Sequence, residues 1–110
     1  MAEGVTLLVY PAKDLATTKA FFITFLGVEP YVDSPYYVGF KTESLEIGLD
    51  PHGQEVIGYI EVKDIVSNLK ALVDAGATTQ QEPKDVGGGL LIAKVKDTNG
   101  TMLGLRQAAN

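Results

Sequence analysis

The sequence repeats one pattern at an interval of 50 residues, and this repeat limits the folds open to the chain more than any other feature. Asp14 and Asp64 stand at equivalent places, each after a short apolar segment and before a helical pattern. Either carboxylate can accept the free amide protons of a helix's first turn, so both residues are predicted helix N-caps. Such a repeat indicates one supersecondary unit that occurs twice.

The two helices are predicted from the spacing of apolar residues. In the second repeat these residues fall on one helical face and are Ile65, Leu69, Leu72 and Val73. In the first repeat the corresponding stripe, which we assign to the core rather than to a ligand site, consists of Leu15, Phe22, Phe25 and Leu26. Gly27 and Gly76 are each predicted to end a helix, because glycine readily adopts the left-handed conformation.

One strand is predicted before each helix and three after it. The later strands lie near residues 29–33, 35–41 and 45–50 in the first repeat, and near 78–84, 90–96 and 102–107 in the second. Asn99 and Gly100 predict a two-residue hairpin turn between the last two strands, because both residues tolerate positive φ.

The order strand, helix, three strands therefore occurs twice, which predicts the α+β fold class. We expect a single domain over residues 1–110, made of two tandem βαβββ modules at about 5–50 and 56–107. Neither half could bury its sheet alone, so the modules are expected to form curved mixed sheets around a cavity. Pockets favour the junctions of repeated units, and the cavity is therefore the predicted ligand site.

Composition and charge exclude several classes of function. The chain has no cysteine, which rules out disulfides, thiolate metal sites and cysteine nucleophiles. Its net charge is -5 and its nine lysines and arginines are scattered, whereas nucleic-acid binders usually carry a basic stripe. It has neither an apolar run of about 20 residues nor a basic leader before an apolar stretch. We therefore expect no membrane span and a cytoplasmic location.

Four stretches of the chain carry a resemblance to a known superfamily. They are VYPAKDL at 9–15, FLGV at 25–28, GYIEVKD at 58–64 and DTNGTMLGL at 97–105. In order and spacing they resemble the vicinal oxygen chelate superfamily, which groups glyoxalase I, bleomycin resistance proteins and extradiol dioxygenases. The resemblance covers nearly the whole chain, and it implies a small organic ligand and a homodimer.

The resemblance also implies a divalent metal at the cavity floor. Family enzymes hold it with a His or Gln seven residues before the capping Asp, and with a Glu four residues after the hairpin glycine. In this chain the matching positions in the two modules hold Leu7, Gly48, Ile57 and Gly104. None of these side chains can coordinate a metal, and the one histidine, His52, lies in a predicted turn. We therefore expect neither a metal nor another cofactor.

Loss of the metal ligands is expected to leave an apolar floor with open room over the two glycines, and tyrosine rings as flat stacking surfaces. Such a cavity suits a hydrophobic or aromatic metabolite or antibiotic, which the protein would sequester as some members of the superfamily do. The predicted ligand-binding residues are Leu7, Val9, Tyr37, Gly48, Ile57, Tyr59, Met102, Gly104 and Arg106.

A metal-free isomerase or lyase is the alternative to a binding protein, and we favour the binding protein. Strand alternation places Ile57, Tyr59 and Glu61 on one face, so Tyr59 and Glu61 are weak candidates for proton transfer. We favour a solvated Glu61 at the open end of its strand over a catalytic one. Arg106 could bind an anionic group, pair with Glu61 or lie at the surface. A third alternative is a subunit that acts only when assembled with another protein.

Overall fold

The computed structural model describes residues 3–109, which form two compact units. Within these residues the first unit is Thr6–Ile57, and the second comprises residues 3–5 together with residues 58–109. The elements follow the order β1, α1, β2, β3, β4 and then β5, α2, β6, β7, β8. The predicted α+β class and the repeated βαβββ order are therefore confirmed.

The first unit packs one helix against a four-stranded mixed sheet. Its elements are β1 (Gly4–Pro11, from Thr6 onward), α1 (Leu15–Leu26), β2 (Val32–Asp33), β3 (Val38–Lys41) and β4 (Glu46–Asp50). The strand order is β2-β3-β4-β1, with β1 parallel to β4 and the other neighbours antiparallel. The two strands after α1 are shorter than predicted. The second of them starts only at Val38, because residues 34–37 form a turn in which the backbone N–H groups of Tyr36 and Tyr37 donate to the Ser34 hydroxyl.

The core of the first unit lies between α1 and one face of its sheet. Its fully buried members are Ala12, Val38, Phe40 and Leu49, and α1 adds Leu15, Phe22, Ile23 and Leu26. The assignment of Phe25 to this core was wrong, since its side chain is 75% exposed. Consecutive helical residues point about 100° apart, so Phe25 cannot share the buried stripe centred on Leu26. Ile23, rather than Phe25, packs against the core together with Leu15, Phe22 and Leu26.

The second unit repeats this architecture. Its elements are β5 (Ile57–Glu61), α2 (Ile65–Asp74), β6 (Thr78–Asp85), β7 (Leu91–Lys96) and β8 (Met102–Gln107). The strand order is β5-β8-β7-β6, with β5 parallel to β8 and the other neighbours antiparallel. The buried core consists of Val62, Ile65, Leu69, Ala93, Val95 and Leu105, so one face of the sheet is covered by α2.

The predicted N-caps are confirmed in both units, whereas the predicted C-cap is confirmed only for α1, because Ala75 in a right-handed conformation, rather than Gly76, caps α2. The backbone N–H of Thr17 donates to the Asp14 carboxylate at 3.1 Å, and that of Ser67 donates to Asp64 at 3.1 Å. The bond from Thr17 stabilises the charged carboxylate and lowers the pKa of Asp14. Gly27 closes α1 with a φ of 72° and its N–H donates to the carbonyl of Ile23. Such local signals are readable from sequence because they need no distant partner.

The hairpin between β7 and β8 is present, but its turn differs from the predicted one. Asn99 does not adopt a positive φ, whereas Gly100 does, at 87°. The Asp97 carboxylate accepts the backbone N–H groups of Asn99 and Thr101, and its carbonyl accepts that of Gly100. Asp97 thus organises a longer loop in which one glycine, rather than two residues, takes up the left-handed conformation.

Neither helix of the described chain is long and apolar enough to cross a membrane.

Candidate functional site

The sheet of the first unit has a face turned away from α1, and four predicted residues contribute to it. Register pairs Val9 with Gly48 and Gly48 with Gly39. Directly paired residues point to the same side of a sheet, and Leu49, next to Gly48, faces the core on the other side. We call this surface the Gly48 face; it includes Leu7, which is buried, and Val9, which is half-buried.

Two tyrosine rings cover the glycines of the Gly48 face. A Cβ atom added to Gly48 would lie 2.0 Å from the hydroxyl oxygen of Tyr37 and 2.6 Å from its Cζ. One added to Gly39 would lie 3.2 Å from Cε1 of Tyr31 and 3.3 Å from Cε2 of Tyr37. Both rings therefore rest on backbone that bears no side chain. The expectation of open room over Gly48 was wrong, because the Tyr37 ring fills that space.

Polar groups that sequence reasoning did not single out lie beside these rings. The Tyr31 hydroxyl donates to the Glu46 carboxylate, and the Lys41 ammonium lies 4.7 Å from the centroid of the Tyr31 ring. Lys41 and Glu46 are paired across β3 and β4. The one sequence signal for this arrangement is that Gly39 and Gly48 are placed to pair in adjacent strands, which leaves a bare patch for aromatic rings.

The second unit has an equivalent surface, which we call the Gly104 face. Tyr59 pairs with Gly104 across β5 and β8, and Met102 lies two residues before Gly104 on the same side. A Cβ atom on Gly104 would lie 2.3 Å from Cδ2 and 2.6 Å from Cγ of Tyr59, whose side chain is 4% exposed. The expected room over Gly104 is therefore also filled by a tyrosine ring. Ile57, which begins β5, alternates onto the same side of the strand as Tyr59.

Glu61 and Arg106 form an ion pair on the Gly104 face. Arg106 Nη1 donates to Glu61 Oε1 at 3.0 Å, and the backbone N–H of Ala108 donates to Oε2 at 2.9 Å. The side chains of Glu61 and Arg106 are only 15% and 16% exposed. Of the three alternatives for Arg106, pairing with Glu61 is the one observed. The favoured interpretation of Glu61 as a solvated group was wrong, because register brings Arg106 directly opposite it.

Comparisons with solved structures identify this architecture. A glyoxalase/bleomycin resistance protein/dioxygenase superfamily member from Vibrio splendidus 12B01 superposes with a TM-score of 0.70 at 17% identity, over 97% of this chain and 98% of that one. Methylmalonyl-CoA epimerase from Streptomyces coelicolor, in complex with 2-nitronate-propionyl-CoA, gives 0.78 at 15% identity over 100% of both chains. The chain has the vicinal oxygen chelate fold.

Other comparisons show how far this likeness extends. The Mn(II)-bound glyoxalase from Novosphingobium aromaticivorans has the same fold, with a TM-score of 0.75 at 16% identity over 97% of this chain. This chain spans 40% of the length of that glyoxalase. No protein-family model matches the sequence, and no curated protein does. Proteins with the vicinal oxygen chelate fold thus include a metal-bound enzyme, which raises the question of whether this chain could hold a metal.

The residues at the expected ligand positions do not fit a divalent metal. Leu7 and Gly48 on the Gly48 face, and Ile57 and Gly104 on β5 and β8, offer no side-chain donor. The tyrosine rings occupy the volume that a longer side chain at either glycine would need. Within residues 3–109, no group of three or more His, Asp or Glu side chains could hold a metal ion. His52 is exposed in the turn after β4.

A separate cleft of about 440 Å³ lies on the α1 side of the first unit. Its two charged groups are paired with each other, since Lys19 Nζ lies 2.7 Å from Asp33 Oδ2. The Ser34 hydroxyl at its edge donates to the carbonyl of Tyr37. These groups are used within the protein, so the cleft offers little to orient a ligand. Its lining consists of Leu15, Ala16, Lys19, Asp33, Ser34, Pro35 and Val38.

Proposed function

We propose that this protein binds a hydrophobic or aromatic small organic molecule without a metal ion. The observation that carries the proposal is the half-buried ring of Tyr37 over Gly48, which the nearly fully buried ring of Tyr59 matches over Gly104. At both positions, the superfamily resemblance implies an acidic metal ligand, and this chain has an aromatic ring instead. The natural role of such a protein would be to sequester a metabolite or an antibiotic.

The chemistry of the two faces supports this proposal. Aromatic rings provide large flat surfaces, and offset or edge-to-face contacts with another ring contribute about 0.5 to 1.5 kcal/mol beyond the area that they bury. A few polar groups flank the rings, among them Glu46 beside Tyr31 and Arg106 beside Glu61. Ligand pockets typically combine mostly apolar walls with a small number of such polar groups. The epimerase that shares this fold is complexed with 2-nitronate-propionyl-CoA, which is consistent with a small-molecule role.

A metal-free isomerase or lyase is less well supported. Both carboxylate oxygens of Glu61 already accept hydrogen bonds, one from Arg106 and the other from Ala108. A proton taken from a substrate would neutralise the carboxylate and weaken its ion pair with Arg106. Tyr59 is almost fully buried, so a substrate has little access to its side chain. The geometry therefore favours binding over proton transfer.

A ligand screen on chelator-treated protein tests the proposed function. Planar aromatic molecules are expected to raise the melting temperature, aliphatic molecules of similar size are not, and added Zn²⁺, Ni²⁺, Fe²⁺ or Mn²⁺ should change neither result. Tyr37→Ala should weaken aromatic binding roughly threefold to tenfold through lost ring contacts. The matched control is Tyr36→Ala, since Tyr36 is adjacent and 75% exposed. One equivalent of metal bound with submicromolar affinity, or binding only in its presence, would contradict the proposal.

Assembly as a symmetric homodimer stays a prediction that rests on the superfamily resemblance. Closed two-fold interfaces are the commonest solution among soluble oligomers. Sedimentation velocity should give the mass of two chains at micromolar protein concentration. A strict monomer at the highest attainable concentration would show that the prediction is wrong.

A further inference from the structure

We propose that the Gly104 face binds the negatively charged group of an organic anion and that Lys94 is the residue that recognises it. This inference rests on the proposed small-molecule function and adds the chemical class of the ligand. Lys94 lies on β7 and pairs directly with Gly104 on β8. It therefore points to the same side of the sheet as Tyr59 and Arg106.

The Gly104 face concentrates positive charge in a chain whose net charge is -5. Ile92, Lys94 and Lys96 alternate onto this side of β7, where they pair with Arg106, Gly104 and Met102. Lys84 on β6 pairs with Ile92 and so joins them. Four of the nine basic residues of the chain thus share one face of one unit. Charge of one sign gathered on a surface raises the local concentration of ligands of the opposite sign.

Only part of this charge is compensated within the protein. Glu61 neutralises Arg106 at 3.0 Å. Within residues 3–109, by contrast, the ammonium group of Lys94 takes part in no hydrogen bond or ion pair. Lys94 is nevertheless half-buried. A charged group that has lost part of its water without gaining a partner is favourably placed to bind an anion, because the anion restores the lost interaction.

The neighbours of Lys94 define what else the ligand should carry. Gly104 opposite it has no side chain, and the ring of Tyr59 covers that glycine. Met102 follows on the same side of β8. An apolar group packed against Met102, which is half-buried, would place a carboxylate within reach of Lys94, since diagonal neighbours in a sheet lie about 7 to 8 Å apart. The ligand is therefore an aromatic or apolar molecule with one anionic group.

A pair of probes that differ only in charge tests this inference. We would titrate a naphthoate and the matching naphthamide into the protein and follow the backbone amides of Lys94 and Gly104 by NMR. The carboxylate is expected to bind about tenfold more tightly than the amide, because a charge-assisted hydrogen bond is worth more than a neutral one. Added salt should weaken binding of the carboxylate and leave that of the amide unchanged.

Three variants test whether Lys94 is the residue that recognises the carboxylate of naphthoate. Lys94→Gln should reduce naphthoate affinity about tenfold and leave naphthamide affinity unchanged, and the naphthamide result also confirms that the variant is folded. Lys94→Arg should retain most of the naphthoate affinity. The control is Lys63→Gln, which makes the same charge change at an exposed loop residue and should alter neither probe.

The outcomes separate the two proposals. If both probes bind equally to the wild type, or if Lys94→Gln and Lys63→Gln behave alike, the anion site is refuted and aromatic binding stands. If neither probe binds at millimolar concentration, the anion site and the proposed aromatic binding are both refuted.

Discussion

Gly104→Ala is expected to lower the free energy of unfolding by about 2 to 3 kcal/mol, the upper part of the range for overpacked cores. The new methyl group would lie 2.3 Å from Cδ2 of Tyr59, a distance that real Cβ atoms essentially never show. The Tyr59 ring is almost fully buried, so it cannot move aside without disturbing its surroundings. Unfolding in urea, followed by fluorescence and circular dichroism, measures the change.

A double-mutant cycle shows whether the overlap is the cause. In a Tyr59→Ala background the space over Gly104 is empty, and Gly104→Ala should then change the free energy of unfolding by less than about 0.5 kcal/mol. Gly104→Ala at no cost in the wild-type background would mean that the ring does not lie over Gly104.

Gly104→Glu, which restores the acidic side chain of the metal enzymes, should be more destabilising than Gly104→Ala and should weaken ligand binding. Burial of an unpaired charge is not the main reason for this loss, because Lys94 lies opposite and could pair with the new carboxylate. Steric overlap with Tyr59 therefore dominates the cost. No gain of metal affinity is expected, since Ile57 has no donor side chain and the Glu61 carboxylate is paired with Arg106. Isothermal titration with Zn²⁺ and Mn²⁺ checks this point.

Glu61→Ala is expected to lower the free energy of unfolding by about 2 to 3 kcal/mol. The change removes the carboxylate that Arg106 contacts at 3.0 Å and the acceptor of the Ala108 N–H. Removing one partner from a buried pair costs about 3 to 5 kcal/mol, and the residual exposure of this pair reduces that figure. Thermal and urea unfolding of the variant against the wild type give the value.

Two further variants show whether the loss of stability comes from breaking the Glu61–Arg106 ion pair or from removing any carboxylate. The double variant Glu61→Ala with Arg106→Met should recover part of the loss, because it removes both charges together. Glu82→Ala changes an exposed carboxylate on β6 and should stay within about 0.5 kcal/mol of the wild type. If Glu61→Ala proved as mild as Glu82→Ala, the ion pair would contribute nothing to stability.

Much of the fold was predictable because its signals are local. Asp14 and Asp64 cap helices through amides three residues away, and Gly27 ends α1 through its own φ. The apolar spacing of α2 likewise predicted that Ile65 and Leu69 would be buried, although Val73, assigned to the same face, is 41% exposed. Repetition of these signals at a fixed interval then determined the βαβββ order. The apolar residues of α1 are spread around much of the helix, so their spacing does not single out the buried face. Phe25 was assigned to the core wrongly for this reason.

The candidate site depended on the tertiary structure. Strand alternation correctly grouped Tyr59 with Glu61, yet only register between strands distant in sequence brings Arg106 opposite Glu61 and Lys94 opposite Gly104. The sequence by itself determined that the metal-ligand positions hold no donor side chain. That tyrosine rings fill the space over the two glycines was decided by side-chain packing across paired strands, which depends on residues far apart in the chain.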